Sequence, residues 1–441
     1  MEADSDDEIY SRDSQQSSDA EAGDPSPYSE EEYGLDETLQ PFGNATPSIL
    51  PPSRKSFVDD CKTYDIVPLV AAIHACHIHS LDATKNMRWV FTGGEDGFIR
   101  KYDFFSSMCG KTLLTQNQKH TQVESVQKAG VILSYWENEE IPITPPAAVK
   151  PEKPDGAAEE DATQNVEEPP LPDLKMSPVY SIAVQSEAVW LLSGLESGAI
   201  NLFTVRHEEG RCHHVMRKHK SPVSVLKITS DETNFVSGSW DKTILHWDLN
   251  TGQVVREYSG HSSQIMFEES DNTIINSRDI LLTTSIDGNC FVWDKRSANL
   301  IPRKLSIPEK TPPWCLSACW SADGNKIYCG RRNGTVDEWD FASGKFVRSF
   351  KMPSNSGPVS CVASMPNGKH IVCASTDNIR LWNVNQDDSE TIRSIVPFLI
   401  VPGHHVIDPN CRYMITTSGN RGWEGASTET ALFYEIIPIM K

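Results

Sequence analysis

An aromatic residue followed by Asp, or by a stand-in for it, closes an alternating apolar run seven times along this chain. The series is Tyr102-Asp103, Phe203-Thr204, Trp247-Asp248, Trp293-Asp294, Trp339-Asp340, Trp382-Asn383 and Tyr434-Glu435, at spacings of 101, 44, 46, 46, 43 and 52 residues. A period of about 40–45 residues marks one four-stranded unit that cannot bury its faces alone and stacks radially on its neighbours. The expected fold is all-β, a seven-bladed β-propeller over residues 61–441. The first spacing is long because an acidic, Pro-rich insertion at 137–175 separates blades 1 and 2.

The unit beginning near His219 shows the pattern most fully. Val223, Val225 and Ile228 mark a first strand, followed by the strand FVSGS, the turn WDKT and the strand TILHWD. The turn at Asp241 needs a short polar side chain that bonds to backbone amides. These units resemble the WD-repeat family. That likeness implies hydrogen-bonded tetrads of His219, Ser237, Asp241 and Trp247, and of His261, Thr283, Asp287 and Trp293. Other blades depart from it, with Ser197 and Asn333 at the turn position. The chain ends within seven residues of Tyr434-Glu435, leaving no room for a last outer strand. An apolar segment near Ile66–Ala71 is expected to supply that strand beside Thr430–Ile436, closing the ring and removing the open edge. For the outer strand of blade 1, Leu113-Leu114 and Val131–Trp136 are both open; the polar stretch 116–128 suits a short helix.

The net charge of −21 is concentrated in two places. Residues 1–60 carry 16 acids and 3 bases, and residues 137–175 carry 11 acids and 3 bases, so the remaining chain is balanced. Both segments read as disordered: the first is charged and Ser/Pro-rich, and the second holds eight prolines. In the tail, Glu30, Glu31 and Glu32 lie next to Tyr33 and close to Phe42. Such acidic–apolar mixing suits docking on a basic partner. No segment has the surplus Lys/Arg of a nucleic-acid binder. The longest apolar run, 395–401, is too short for a membrane span and is broken by Pro397. The beginning MEADSDDE has the wrong charge for a secretory signal.

Catalytic and metal readings find little support. A Ser, His and Asp recur at blade spacing, but there is no G-x-S-x-G elbow and no phosphate-cradling loop. Eleven cysteines are scattered, mostly inside apolar runs, as reduced buried thiols would be. Only Cys315 and Cys319 are closely spaced, with no second pair to complete a zinc site. Cys212, His213 and His214 fall on what reads as a hairpin loop, without a fourth ligand. The expectation is no enzyme, no metal and no cofactor.

In a propeller, the turns between second and third strands and the blade-to-blade crossings emerge on one face. The acidic insertion should leave from that face. It should share it with the Arg331-Arg332-Asn333 turn and the loop GNRGWEGAS, which carries Arg421 and Trp423. Arg and Trp are the residue types most enriched at interface hot spots.

The stretch SPVSVLKITSDETNFVSGSWDKTILHWDLNTGQ at 221–253 resembles the WD-repeat subunit of the fungal SAGA transcription coactivator complex, of the SPT class linked to the TATA-binding protein. So do EDGFIRKYD at 95–103, KAGVILSYWENEE at 128–140 and GWEGASTETALFYEI at 422–436. The likeness covers about residues 60–441 and is carried most specifically by LSYWENEE and GWEGAS. It implies a nuclear, non-catalytic adaptor, one copy in a large hetero-complex. Its expected partners are the TATA-binding protein and other SAGA subunits, without sequence-specific nucleic-acid binding or membrane attachment. Candidate contacts are Glu30, Glu31, Glu32, Tyr33, Phe42, the acids of 152–168, Arg331, Arg332, Arg421 and Trp423. The competing reading is a propeller that reads modified peptides, such as a histone tail, or a ubiquitin-ligase substrate adaptor. Either would need an aromatic cage, and the sequence offers no clear one.

Overall fold

The computed structural model describes residues 61–119, 122, 124–141, 174–270, 279–297, 301–307, 314–385, 392–397, 402–419 and 428–440. All lie in one compact unit, Ile49–Lys441. The unit is a seven-bladed β-propeller of seven antiparallel sheets. Lettering the strands a to d outward from the centre, blade 1 is Ile78–Ala83, Trp89–Gly94, Phe98–Asp103 and Val131–Glu137. Blade 2 is Ser181–Val184, Trp190–Gly194, Ala199–Thr204 and Cys212–Arg217. Blade 3 is Val223–Ile228, Asn234–Ser239, Ile244–Asp248 and Gln253–Tyr258. Blade 4 is Ile265–Ser270, Ile280–Ser285, Cys290–Asp294 and Arg303–Leu305, and blade 5 is Cys315–Trp320, Lys326–Arg331, Thr335–Asp340 and Phe346–Lys351. Blade 6 is Val359–Ser364, His370–Ser375, Asn378–Asn383 and Ile392–Pro397.

Blade 7 takes strands a to c from Pro402–Ile407, Tyr413–Ser418 and Thr430–Ile439, and strand d from the other end of the described chain, Thr63–Ile73. The register pairs Ile66 with Ile436 and Ala71 with Leu432. The outward edge of Thr63–Ile73 is in turn covered by Lys128–Ala129, which pairs in parallel with Val70 and Ala71. These two residues belong to an excursion between strands c and d of blade 1. It holds two short helices, Phe104–Cys109 and Gln116–Lys119; the first is capped by the Asp103 carboxylate, which accepts from Ser106 N. Phe104 is fully buried and stacks on Phe433 of blade 7. Of the two candidates for the outer strand of blade 1, Val131–Glu137 takes the place, paired with Phe98–Asp103. Leu113 makes only an isolated bridge to Lys128.

Neighbouring blades meet through their a strands, which follow one another around the ring. Hydroxyls on these strands reach across: Ser80 donates to Val179 O, Ser181 to Val223 O and Ser224 to Ile265 O. The close approach needs a residue without Cβ on the adjoining b strand. A Cβ at Gly194 would lie 2.6 Å from the Val223 carbonyl oxygen. The a strands also carry a recurring bulge, between Val223 and Val225, Ile265 and Phe267, Cys315 and Ser317, and Val359 and Cys361. Each bulge changes which face the following side chains occupy. Among the described residues, no helix is long and apolar enough to cross a membrane.

Candidate interaction face

In blade 3 the Trp247 indole Nε1 donates to Ser237 Oγ at 2.8 Å, and that hydroxyl lies 2.7 Å from His219 Nε2. His219 Nδ1 sits 3.1 Å from Asp241 Oδ2, which also accepts from Lys220 N. Burial alone would raise the Asp241 carboxyl. The hydrogen bonds from His219 and Thr243 outweigh it and hold the group well below the usual carboxylate range. Blade 4 differs in one link. His261 Nε2 meets Thr283, which accepts from Trp293 Nε1, while His261 Nδ1 meets Ser285. Asp287 reaches the imidazole only through the Ser285 hydroxyl. These networks tie the a-strand entry, the b strand, the b–c turn and the c strand into one rigid blade.

Blade 2 lacks both the His and the Trp, and its substitute comes from blade 1. Asn138, immediately after strand d of blade 1, is fully buried. Its Oδ1 accepts from Ser193 Oγ at 2.7 Å and from Asn201 Nδ2 at 3.3 Å, and its Nδ2 donates to Ser177 O at 3.3 Å. Its backbone N–H donates to Gly97 O, and its carbonyl accepts from Ser177 N. Ser193 stands where Ser237 stands in blade 3, so the amide oxygen takes the place that the His219 imidazole Nε2 has beside that hydroxyl. Trp136, two residues earlier, is buried against Phe91 and Phe203.

This anchoring fixes where the acidic insertion leaves the ring. Glu139–Glu140 pairs with Lys175–Met176, and Ser177 Oγ accepts from Glu196 N in the b–c turn of blade 2. The exit and return therefore lie together against the b–c turns of blades 1 and 2. Burial and the neighbouring Glu137 raise the Glu139 carboxyl. Beside the exit, Arg217 donates to Ile141 O. Lys218, Lys220 and Lys242 are exposed nearby in sequence, around the blade 3 tetrad. Replacing Asn138 with Ala is expected to cost about 1–3 kcal/mol, because it strands the buried Ser193 and Asn201 groups. Urea denaturation checks this, and Asn138→Asp should not rescue, since a carboxylate cannot donate to Ser177 O.

Of the proposed contact residues, Arg332 is exposed, its guanidinium 3.7 Å above the ring of Trp314. Trp314 holds a φ of 84°, a left-handed conformation a tryptophan rarely adopts, at the entry to blade 5. The sequence reading missed this partner, although an aromatic just before strand a, facing an arginine turn, was visible. Arg331 is a correction. It is fully buried, with Nε donating to Asp337 Oδ2 at 2.9 Å and Nη1 to Gly288 O at 2.9 Å, so it presents nothing to a partner. Glu30, Glu31, Glu32, Tyr33, Phe42, the acids of 152–168, Arg421 and Trp423 lie outside the described residues.

Aromatic side chains also gather near the a-strand entries of blades 1 to 3. His79 and Tyr180 stack at 5.3 Å, and Tyr180 meets Trp240 edge-on at 5.3 Å. Cys212–Arg217 is a strand, not the hairpin loop its sequence resembled, and Cys212, His213 and His214 do not converge as ligands. Among the described residues one group of potential ligands converges, Cys290, Cys315 and Cys329. Cys319, which the spacing placed with Cys315, faces a different core, because the bulge after Cys315 shifts the alternation.

The family model of the SPT8 beta propeller matches residues 64–269 and 264–437, which is nearly the whole ring. The chain belongs to the SPT8 β-propeller family. Relatives bear this out. The SAGA complex subunit Spt8 of Schizosaccharomyces pombe is 37% identical over 456 aligned residues, covering 85% of this chain and 80% of its own. SAGA complex subunit SPT8 of Saccharomyces cerevisiae is 36% identical over 453, covering 85% and 73%. The guanine nucleotide-binding protein subunit beta of Zea mays is 29% identical over 174 residues, only 37% of this chain; that likeness is to the repeat. The SPT8 alignments span far more of the chain than generic blades do, and the family model's first match, 64–269, runs through the anchored insertion site.

Proposed function

We propose that this chain is a non-catalytic subunit of a nuclear SAGA-type coactivator complex that binds the TATA-binding protein and regulates its delivery to promoters. The observation that carries this reading is the family membership, with two relatives named as SAGA subunits each aligned along 85% of the chain. The charge distribution supports the second half. A protein that grips DNA backbone is basic on its contact surface. Two acidic segments on an otherwise balanced ring can compete for such a surface, with Glu30, Glu31, Glu32 and the 152–168 acids as the charge and Tyr33 and Phe42 as apolar anchors. Arg332 stacked on Trp314, together with Arg421 and Trp423, would then serve contacts with other subunits.

Membership is tested by tagging the chain in its own cells and identifying what co-purifies. The expected result is a stoichiometric large complex containing the other SAGA subunits. A chain that purifies alone, or only with ubiquitin-ligase components, contradicts it.

A further inference from the structure

We propose that Cys290, Cys315 and Cys329 form a site for one thiophilic d10 metal ion, Zn2+ or Cu+, buried between blades 4 and 5. Cys290 begins strand c of blade 4, Cys315 begins strand a of blade 5, and Cys329 lies in strand b of blade 5. The Cys290 sulfur is 3.6 Å from each of the other two, and all three lie within 4.8 Å of one another. With Zn–S bonds of about 2.3 Å, thiolates in a tetrahedral shell sit about 3.8 Å apart, so the sulfurs already stand at ligand spacing. The backbone that carries them is fixed by ladder pairing, Cys290 to Thr284, Cys315 to Arg331 and Cys329 to Ala318 and Asp337. A set of three soft donors without oxygen ligands selects such ions over Mg2+ or Ca2+.

Two features of blade 5 bear on the site; the first recurs in blade 6, where Cys373 stands at the same place and the Trp382 indole also lacks a partner among the described residues, and the second belongs to blade 5. Cys329 stands where Ser237 and Thr283 stand in blades 3 and 4, two residues before Arg331 as those are two before Ser239 and Ser285. In those blades the tryptophan indole donates to the hydroxyl. Here the Trp339 indole, fully buried, has no hydrogen-bond partner among the described residues. A thiol at this place forfeits a bond that a serine would make. The second feature is Arg331, whose fully buried guanidinium lies within electrostatic reach of all three sulfurs. Its Nε and Nη1 are bonded, while Nη2 has no partner among the described residues. A zinc ion held by three thiolates has one net negative charge, and a cation beside it offsets that charge in a buried site. Loading displaces the thiol protons to solvent, one for each sulfur that becomes a thiolate.

The test uses the untagged full-length chain, purified under a non-thiol reductant. After exposure to Zn2+, or anaerobically to Cu+, and removal of the excess, bound metal is counted. Co2+ substituted for Zn2+ supplies a sulfur-to-cobalt charge-transfer band. The expected result is one equivalent of Zn2+ or Cu+ per chain, which of the two arms retains it identifying the ion. That equivalent is lost in Cys290→Ser and Cys329→Ser and kept in Cys319→Ser and Cys212→Ser, which remove a buried and a half-buried thiol outside the cluster. If the cluster variants do not fold, the wild-type stoichiometry and cobalt spectrum decide. Less than about a tenth of an equivalent in both arms, with all eleven cysteines titrating as free thiols, overturns the proposal. So does metal that stays when a cluster cysteine is replaced.

Discussion

Asp337→Leu is expected to destabilise the folded chain by about 3–5 kcal/mol, with Arg331→Met close behind. Both side chains are about 1% exposed, and Nε of Arg331 lies 2.9 Å from Oδ2 of Asp337. The other carboxylate oxygen of Asp337 accepts from Ser349 Oγ. Removing either partner leaves an ion in the interior without its counter-charge. Removing both, as in Arg331→Met with Asp337→Leu, leaves side chains of similar volume and no charge to solvate. The double variant should therefore recover most of the loss, since replacing a whole buried pair is often close to neutral. Urea denaturation of the four proteins tests this. Additive single costs, or single costs below about 1 kcal/mol, would mean the pair is not held as described.

Acid should unfold the propeller well before its carboxylates titrate. Burial lowers His74 to about 3, helped by Arg100, and lowers His261 to about 4 despite the opposing pull of Asp287. Burial likewise lowers His370 to about 4. All three are under a tenth exposed. An unfolded histidine takes up its proton near pH 6.5, whereas these do so only near pH 3 to 4, so the unfolded chain binds more protons between those values. Their contribution to stability is present above pH 6.5 and is lost as pH falls toward 4. At pH 5 the loss is about 2 kcal/mol per histidine relative to pH 7, or about 6 kcal/mol together, a large part of an ordinary stability. His74 N donates to Glu429 O, and His370 meets Tyr64 of the closing strand edge-on, so two of the three sit at the ring closure. Below about pH 4 the paired carboxylates add to the loss, Asp377 among them, held down to about 2 chiefly by Arg380. Denaturation midpoints from pH 7.5 to 5 should fall steadily, and His261→Gln should flatten the slope. A midpoint constant across that range contradicts the assignment.

The ring was legible because each unit ends on a bulky aromatic next to an acid, and that pair recurs at a period no loop would impose. What lay hidden had physical reasons. Arg331 and Arg332 look equivalent in sequence, yet the period of two in a strand turns one inward and the next outward. Counting from Ser237 to Ser239, and from Thr283 to Ser285, both buried, would have placed Arg331 inside. Asn138 stood in a motif noted for its resemblance, but its partners Ser193 and Asn201 belong to the next blade, beyond the insertion. The three converging cysteines come from three strands of two blades. The bulge after Cys315 defeats the alternation that would have put it on one face with Cys319.

The central claim is that the two acidic segments compete for the DNA-binding surface of the TATA-binding protein. The measurement that tests it most directly is fluorescence anisotropy of purified TATA-binding protein with the full chain, with residues 1–55 removed, and with 140–173 also replaced by a short Gly/Ser linker. The series is repeated across salt concentrations and against competing TATA DNA. The account predicts tightest binding by the full chain and at least tenfold weakening when both segments are gone. It also predicts a steep fall with salt and displacement by DNA. Equal, salt-insensitive binding by all three proteins would contradict it, and so would no binding by any.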